Sequence, residues 1–219
     1  VEIHFLDSTF FPDPDPETTS VDGRVRFGVS ATTFAGVRDG VGTSASDAGS
    51  NDTAVSIRST TTTDQWDLMD RGIYLFDTSA LGAGATISAA TCSLVCGGNN
   101  GNNFSQTMDL VQSSTASNTA LVASDYEGTV GNTALQSDTQ PAFSAITCDG
   151  ATYTDYLLNA TGTGNINVTG VTKLGVKGSS DRTNTAPTWS SNLTAGKQII
   201  TAETAGTSTD PKLAVTYTA

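Results

Sequence analysis

The sequence predicts an all-β protein built as a two-sheet antiparallel β-sandwich of the jelly-roll type, with about eight to ten strands and minimal helix. Three observations support this prediction. Apolar and polar residues alternate along short runs, and clusters of Gly, Asn, Asp and Ser separate those runs. Strong helix formers are scarce, since the 219 residues include only four Lys and four Glu. A sandwich of this length is commonly one domain.

Each predicted strand rests on a period-two pattern, which places alternate side chains on one face. "GRVRFGV" puts Val25, Phe27 and Val29 on one face, and "TAVSIRS" puts Val55 and Ile57 together. The later runs hold Ile73 and Leu75; Ala90, Cys92, Leu94 and Cys96; Met108 and Leu110; Leu174 and Val176; and Leu213, Val215 and Tyr217. We expect one core to bury Ile73, Leu75, Leu94, Val176, Leu213 and Val215. "TALVASDYEG" and "TDYLLNATGTGNI" could each form a helical turn or two.

One stretch, Arg71–Leu94, reads "RGIYLFDTSALGAGATISAATCSL". Arg71–Phe76 alternates as a strand, and Thr86–Cys96 is the expected return strand. Between them, the Asp77 side chain can accept hydrogen bonds from nearby backbone N–H groups in a turn, and Leu81 is expected to return to the core. We interpret the stretch as a strand–turn–strand unit without a catalytic residue.

The N-terminal segment, residues 1–22, is predicted to be an extended arm or an edge strand that precedes a single jelly-roll domain over residues 23–219. Its "PDPDP" cannot join a central strand, because proline fixes φ and lacks an N–H donor. Oxygen ligands for calcium are available there, from Asp13, Asp15, Glu17 and Asp22. No D-x-D-x-D-G ladder accompanies them, so we favour the rigid arm and expect no cofactor, with Ca²⁺ as the open alternative.

The charge balance excludes several classes of partner. The formal net charge is −12, and the few basic residues are scattered, which argues against nucleic acid and against anionic lipid.

No apolar run approaches the ~18 residues of a membrane-spanning helix. The N-terminus "VEIHFLDSTFF" shows no signal-peptide pattern. We expect neither a nucleic-acid nor a membrane partner.

Catalytic motifs are also missing from the sequence. His4 is the single histidine, no Gly-x-Ser-x-Gly occurs, and the four glutamates at positions 2, 17, 127 and 203 stand in unrelated contexts. Neither a nucleophile–base pair nor the two convergent carboxylates of a glycoside hydrolase can be recognised. The prediction is a protein that is not an enzyme and has no catalytic residue.

Three cysteines allow one disulfide. Cys92 and Cys96 would lie about 13 Å apart in one strand at ~3.3 Å per residue, whereas a disulfide needs Cα atoms within ~7 Å. Cys148 could therefore pair with Cys92 or with Cys96, and the alternative is three buried free thiols. A zinc site is not expected, because the close ligand pairs are missing.

Several segments together resemble the DNRLRE-type β-sandwich modules and related tailed-phage virion structural proteins. They are the Arg71–Leu94 stretch, "YLLNATGTGNINVTGVTKLGVKG" and the terminal "DPKLAVTYTA". "STFFPDPDPETTSVDG" and "NTALVASDY" also resemble segments of phage virion proteins. The matches extend from Phe10 to Tyr217, and Cys92 and Cys96 depart from the pattern. The resemblance implies a jelly-roll sandwich that binds or scaffolds rather than catalyses.

These observations favour a non-enzymatic structural protein located in a phage-type virion, such as a capsid decoration, fibre or tail-associated subunit. Its expected partners are copies of itself and neighbouring virion proteins. The alternatives are a secreted cell-surface adhesive or filament subunit and a carbohydrate-binding module. Aromatic contacts for a glycan could come from Trp66, Trp189 and Tyr126. In a secreted protein, glycosylation could occur at Asn51, Asn103, Asn159, Asn167 and Asn192, each of which begins an Asn-x-Ser/Thr triplet.

Overall fold

The fold is all-β, as the alternating pattern predicts. A computed structural model describes residues 4–219, with Thr53 described by its backbone alone. This part of the chain contains eleven strands, slightly more than predicted. They are β1 (Leu6–Phe10), β2 (Asp22–Thr32), β3 (Ser44–Ser46), β4 (Asn51–Ser59), β5 (Trp66–Asp77), β6 (Thr86–Asn102), β7 (Met108–Gln112), β8 (Tyr153–Leu157), β9 (Val171–Gly178), β10 (Thr194–Ile200) and β11 (Lys212–Thr218).

Helical structure is confined to short turns, which confirms the expectation of minimal helix. The α-helical segments are α1 (Phe34–Asp39), α2 (Asp125–Gly128), α3 (Ala160–Gly164) and α4 (Ser179–Thr183), and 3-10 turns cover Ser79–Leu81, Asn103–Ser105 and Phe143–Ala145. The two sequence runs with weak helical signals contain α2 and α3. Glycines and β-branched residues in and around these runs disfavour longer helices.

All strand pairs are antiparallel, and the strands form two sheets that share β6. The small sheet has the order β1–β11–β6–β8 and uses the first part of β6, up to Val95. The large sheet has the order β3–β2–β5–β4–β10–β6 and uses the second part of β6, from Cys96. β9 pairs with the C-terminal half of β5 and carries β7 on its far side.

The Arg71–Leu94 stretch connects the two sheets. β5 pairs with β2, β4 and β9, whereas β6 pairs with β8, β10 and β11, so the two predicted strands are not neighbours in one sheet. The turn between them has the predicted chemistry: Ser79 N donates to Asp77 Oδ1 at 3.0 Å. Leu81 is buried, as expected. The strand–turn–strand unit is therefore a crossover between sheets.

The core contains the residues that the alternation selected. Ile73, Leu75, Leu94, Val176, Leu213 and Val215 are all at most 2% exposed. They belong to one hydrophobic cluster with residues from both sheets. Val29 is an exception, because it is 44% exposed although its pattern continues that of Val25 and Phe27. The pairing of β2 with β5 becomes irregular after Gly28, so Val29 does not continue the buried face that contains Val25 and Phe27.

The N-terminal segment corrects the prediction of an extended arm. Residues 1–3 lie outside the described part, and β1 is an edge strand on β11, in agreement with the edge-strand alternative. The following Pro-rich segment is a folded loop, since Asp13 N donates to Ser20 O at 2.9 Å and Asp13 Oδ2 accepts from Thr18 N and Thr19 N. Val21 is fully buried. The loop thus leads the chain back into the core and does not extend away from the domain.

Candidate functional site

A polar groove lies on the large sheet where β2, β4, β5, β6 and β10 meet. Alternation places Arg24 and Arg26 on one face of β2, and the strand register sets Asp70 of β5 between Arg26 and Ser56. The groove has a volume of about 360 Å³ and is lined by Arg26, Ser56, Arg58, Leu68, Asp70, Asn100 and Thr194. This volume is within the range of small-ligand pockets, ~300–1,000 Å³.

Ion pairs fix the charged side chains of the groove. Arg26 donates through Nε and Nη2 to Asp70 at 2.6 and 3.1 Å. Arg58 holds Asp67 in the same bidentate way, at 2.8 and 3.2 Å. Burial opposes the charge of Arg26, but the hydrogen bond and charge of Asp70 outweigh it and raise the pKa of Arg26. The guanidinium and carboxylate groups are therefore held in defined orientations as donors and acceptors.

The carboxylate of Asp70 is poorly placed to act as a general base. Its side chain is fully buried, and its oxygens accept from Arg26 twice and from Ser56 Oγ. A base needs a free lone pair within reach of a substrate proton. The contacts of Asp70 are therefore those of a buried ion pair that fixes Arg26 and Ser56.

A second surface is the outer face of the small sheet. Cross-strand register aligns Thr9, Ala214, Thr91 and Leu157 in one row across β1, β11, β6 and β8. The next row contains Asp7, Thr216 and Ala89. These side chains are exposed or half-buried, and a shallow groove of about 170 Å³ runs between them. In the described part of the chain, β1 pairs with β11 alone, so its other edge is open.

Two of the three predicted glycan-contacting aromatics are buried, so that prediction is wrong for them. Trp66 is 2% exposed and packs edge-on against Phe34 and Phe104. Tyr126 is fully buried, and its hydroxyl donates to Val37 O at 2.7 Å. Neither ring can offer a face to a sugar. Trp189 is partly buried against the core, and its role as a contact stays a prediction.

The predicted calcium ligands do not form one site. The Asp13 carboxylate accepts from the Thr18 and Thr19 backbones and hydroxyls, so it closes its own loop. Asp15 is exposed, whereas Asp22 is fully buried. Among residues 4–219, no three His, Cys, Asp or Glu side chains are already arranged around a metal ion. Because Asp13 closes its own loop and Asp15 is exposed, the predicted set of four does not form one site.

The cysteine alternatives resolve to one pair. Cys96 and Cys148 are joined in a disulfide with their Cα atoms 4.4 Å apart. Cys92 is a buried free thiol. The bond ties the point where β6 changes sheets to the loop that precedes β8.

The predicted glycosylation sites differ in accessibility. Asn103 Nδ2 donates to Thr194 O at 2.7 Å, and Asn159 Nδ2 donates to Leu135 O at 3.1 Å. A glycan would attach at these same nitrogen atoms, so both sites are disfavoured. Asn51, Asn167 and Asn192 are exposed and stay predictions.

Sequence reasoning missed the groove residues. The arginines at 24 and 26 were visible only as the polar face of β2, and the partners Asp52 and Asp70 lie in other strands. Alternation shows which residues share a face, but it does not show which strands will be neighbours. The closest signal was the presence of two arginines on one strand face.

The comparisons add no relative from which a function could be transferred. The sequence matches no protein-family model and no curated protein. None of the helices among residues 4–219 has the length and apolar character needed to span a membrane.

Proposed function

We propose that the protein is a non-catalytic structural subunit that assembles with copies of itself or with neighbouring proteins of a phage-type virion. The observation that carries the proposal is the small sheet, whose outer face and β1 edge are not covered by any part of residues 4–219. A face of small side chains with an open strand edge is well suited to packing against another sheet or adding a strand.

The side chains on this face favour close approach. Ala89 and Ala214 lose no rotamer freedom on burial, and Thr91 and Thr216 lose little. Apolar side chains stand at its borders: Phe5 is 62% exposed beside β1, and Leu157 is 63% exposed on β8. Natural proteins usually protect open strand edges, because an unpaired edge is a template for association. An assembled state would give β1 and its neighbours that protection.

The virion setting comes from the resemblance to DNRLRE-type modules and tailed-phage structural proteins. The same surface would serve a secreted adhesive or filament subunit, which is the alternative setting. The two differ in the genes that surround the coding sequence and in the presence of an export signal in the full gene. Capsid and tail genes next to it would support the virion, and an export signal with attached glycan would support the secreted subunit.

The assembly proposal can be tested by light scattering coupled to size-exclusion chromatography over increasing protein concentration. We expect association in the wild type and its loss in Phe5→Asp, Ala89→Arg and Leu157→Asp. These three positions are exposed, so the monomer should keep its melting temperature. Val41→Asp is the matched control, because Val41 is 73% exposed and lies between α1 and β3. Association that is unchanged in all three variants would reject the surface.

A second candidate function is glycan binding in the polar groove. The groove favours it through its volume and through the exposed Arg58 guanidinium, whose N–H groups can donate to adjacent sugar hydroxyls. A glycan array followed by titration calorimetry would detect such binding. Arg58→Ala should abolish it and Arg58→Lys should weaken it, because lysine lacks the planar fork. Binding lost in Trp189→Ala but retained in Arg58→Ala would place the glycan at Trp189 instead.

A further inference from the structure

Four carboxylates from three separate parts of the chain interact electrostatically near the start of β2, where the charges of the other three act on Asp22. Glu17 belongs to the loop before β2, Asp22 is the first residue of β2, and Glu203 and Asp210 belong to the loop between β10 and β11. We call these four residues the acidic cluster. Hydrogen bonds from Thr201 and Thr204 to the carbonyls of Gly49 and Ser50 hold the β10–β11 loop against the chain next to β4.

The oxygens of the acidic cluster are buried but largely unpartnered. Asp210 is 3% exposed, and its Oδ1 is buried without a hydrogen-bond partner. Oε1 of Glu17 is in the same condition. Asp22 is fully buried and accepts only long hydrogen bonds from Ala202 N, at 3.3 and 3.4 Å. Buried polar atoms in native proteins nearly always have partners, so these buried oxygens mark a place where a further group can bind.

No positive side chain among residues 4–219 forms an ion pair with the cluster. The ion pairs in the described part of the chain use Asp39, Asp52, Asp67, Asp70, Asp109 and Asp181, and none of them reaches the cluster. Burial, followed by the charge of Glu203, raises the pKa of Asp22, and the same two causes raise the pKa of Asp210 to about 6. Unpaired carboxylates in a buried site are costly, and a bound cation removes that cost.

We propose that the acidic cluster binds a hard divalent cation, Ca²⁺, between the start of β2 and the β10–β11 loop. All available ligands are oxygens, and Ca²⁺ tolerates the irregular geometry that loops provide, whereas Mg²⁺ requires a near-ideal octahedron. No three carboxylates surround a common point in the described structure, so part of the cluster would ligate the ion and water would complete its shell. The inference does not depend on the assembly proposal.

The test measures Ca²⁺ binding by chelator-treated protein at pH 7.5. We expect a calorimetric binding signal and a melting temperature raised by ~5 °C at saturating Ca²⁺. The double variant Glu203→Gln/Asp210→Asn should lose both responses. It should still fold, because the amides keep the shape and remove the repulsion, so its melting temperature in chelator should equal or exceed that of the wild type. Asp138→Asn, at an exposed carboxylate, should respond as the wild type does.

Three results would overturn the proposal. The first is a wild-type protein that shows no calorimetric binding signal and no change in melting temperature with Ca²⁺. Protons alone would then neutralise the carboxylates of the cluster. The second is a double variant that responds to Ca²⁺ as strongly as the wild type, which would place the ion elsewhere. The third is an equal or larger response to Mg²⁺, which would reject the choice of Ca²⁺.

Discussion

Arg71 of β5 and Asp181 of α4 form a buried bidentate ion pair across 110 residues of sequence, with Nε–Oδ2 and Nη2–Oδ1 distances of 2.7 and 2.9 Å. Both side chains are at most 3% exposed. Arg71 also donates to the carbonyls of Arg38 and Tyr126, and its guanidinium stacks 3.9 Å from the Tyr126 ring centroid. The pair thus joins α1, α2 and α4 to one face of the large sheet.

Removing one partner of this pair should be strongly destabilising. Asp181→Ala would leave the buried guanidinium uncompensated, and we expect the free energy of unfolding to fall by ~3–5 kcal/mol. The measurement is a urea titration followed by fluorescence. Arg71→Met combined with Asp181→Leu should cost less than the two single changes added together, because neither charge is then left alone. A loss under ~1 kcal/mol in Asp181→Ala would contradict the structural role of the pair.

The number of cysteines that a thiol reagent labels should differ among three conditions. Burial, with a smaller contribution from the charge of Asp155, raises the pKa of the Cys92 thiol to about 12, so this thiol is both hidden and protonated. A thiol reagent should therefore label no cysteine in the native protein. It should label one in denatured protein without reductant, and three after denaturation and reduction. Two labels in the unreduced denatured protein would be inconsistent with a single free thiol.

Loss of the disulfide should lower stability. Cys96 and Cys148 are 52 residues apart, and a loop of this length gives an entropic stabilisation of about 4 kcal/mol at most. We expect Cys148→Ser to lower the free energy of unfolding by ~2–4 kcal/mol, measured in urea under non-reducing conditions. The wild type in reductant is the control and should lose a similar amount. Equal stability of wild type and variant without reductant would show that the bond does not constrain the chain.

Asp77 should act as a turn-stabilising acceptor and not as a catalytic acid. Its Oδ1 accepts from Ser79 N in the turn that leads from β5 toward β6. Asp77→Asn keeps an acceptor and should leave the melting temperature nearly unchanged, whereas Asp77→Leu should cost ~1–2 kcal/mol. Thermal unfolding of the two variants compares them directly. A hydrolytic activity that disappears in Asp77→Asn at unchanged melting temperature would refute this role.

The acidic cluster should make the metal-free protein less stable as pH rises. The pKa of each cluster carboxyl is raised, chiefly by burial, so between pH ~4 and ~6 the folded state binds more protons than the unfolded state. The slope of unfolding free energy with pH is then negative. The melting temperature in chelator should fall from pH 5 to 7.5, with the steepest part near the Asp210 pKa of about 6.

Two neighbouring carboxylates should reinforce this pH dependence, and a neighbouring tyrosine should leave it unchanged. Asp15 and Asp47 add their charge to that of Glu17. The Tyr74 hydroxyl, whose pKa burial and Asp22 raise well above its ordinary value, stays protonated throughout. Asp210→Asn should flatten the curve, and Asp138→Asn should not. A melting temperature that rises over this pH range, or a curve that Asp210→Asn leaves unaltered, would contradict the stated direction.

The core strands could be predicted from the sequence because their signal is local. Ile73 and Leu75, or Leu213 and Val215, reveal the buried face of a strand through alternation within a few residues. The Asp77 turn and the scarcity of helix are local in the same sense. Even there, pattern reasoning failed at Val29, since its exposure depends on where β2 stops pairing regularly with β5.

Only the tertiary structure decided which distant residues meet. Asp70 is 44 residues from Arg26 in the sequence, and Asp22 is 180 residues from Ala202, whose backbone N–H donates to it. The turn after Phe76 looked the same in the sequence whether β6 returned beside β5 or crossed to another sheet. Which strands become neighbours depends on how the whole chain buries its apolar surface. A short stretch of sequence does not contain that information. The polar groove, the open β1 edge and the acidic cluster follow from that choice.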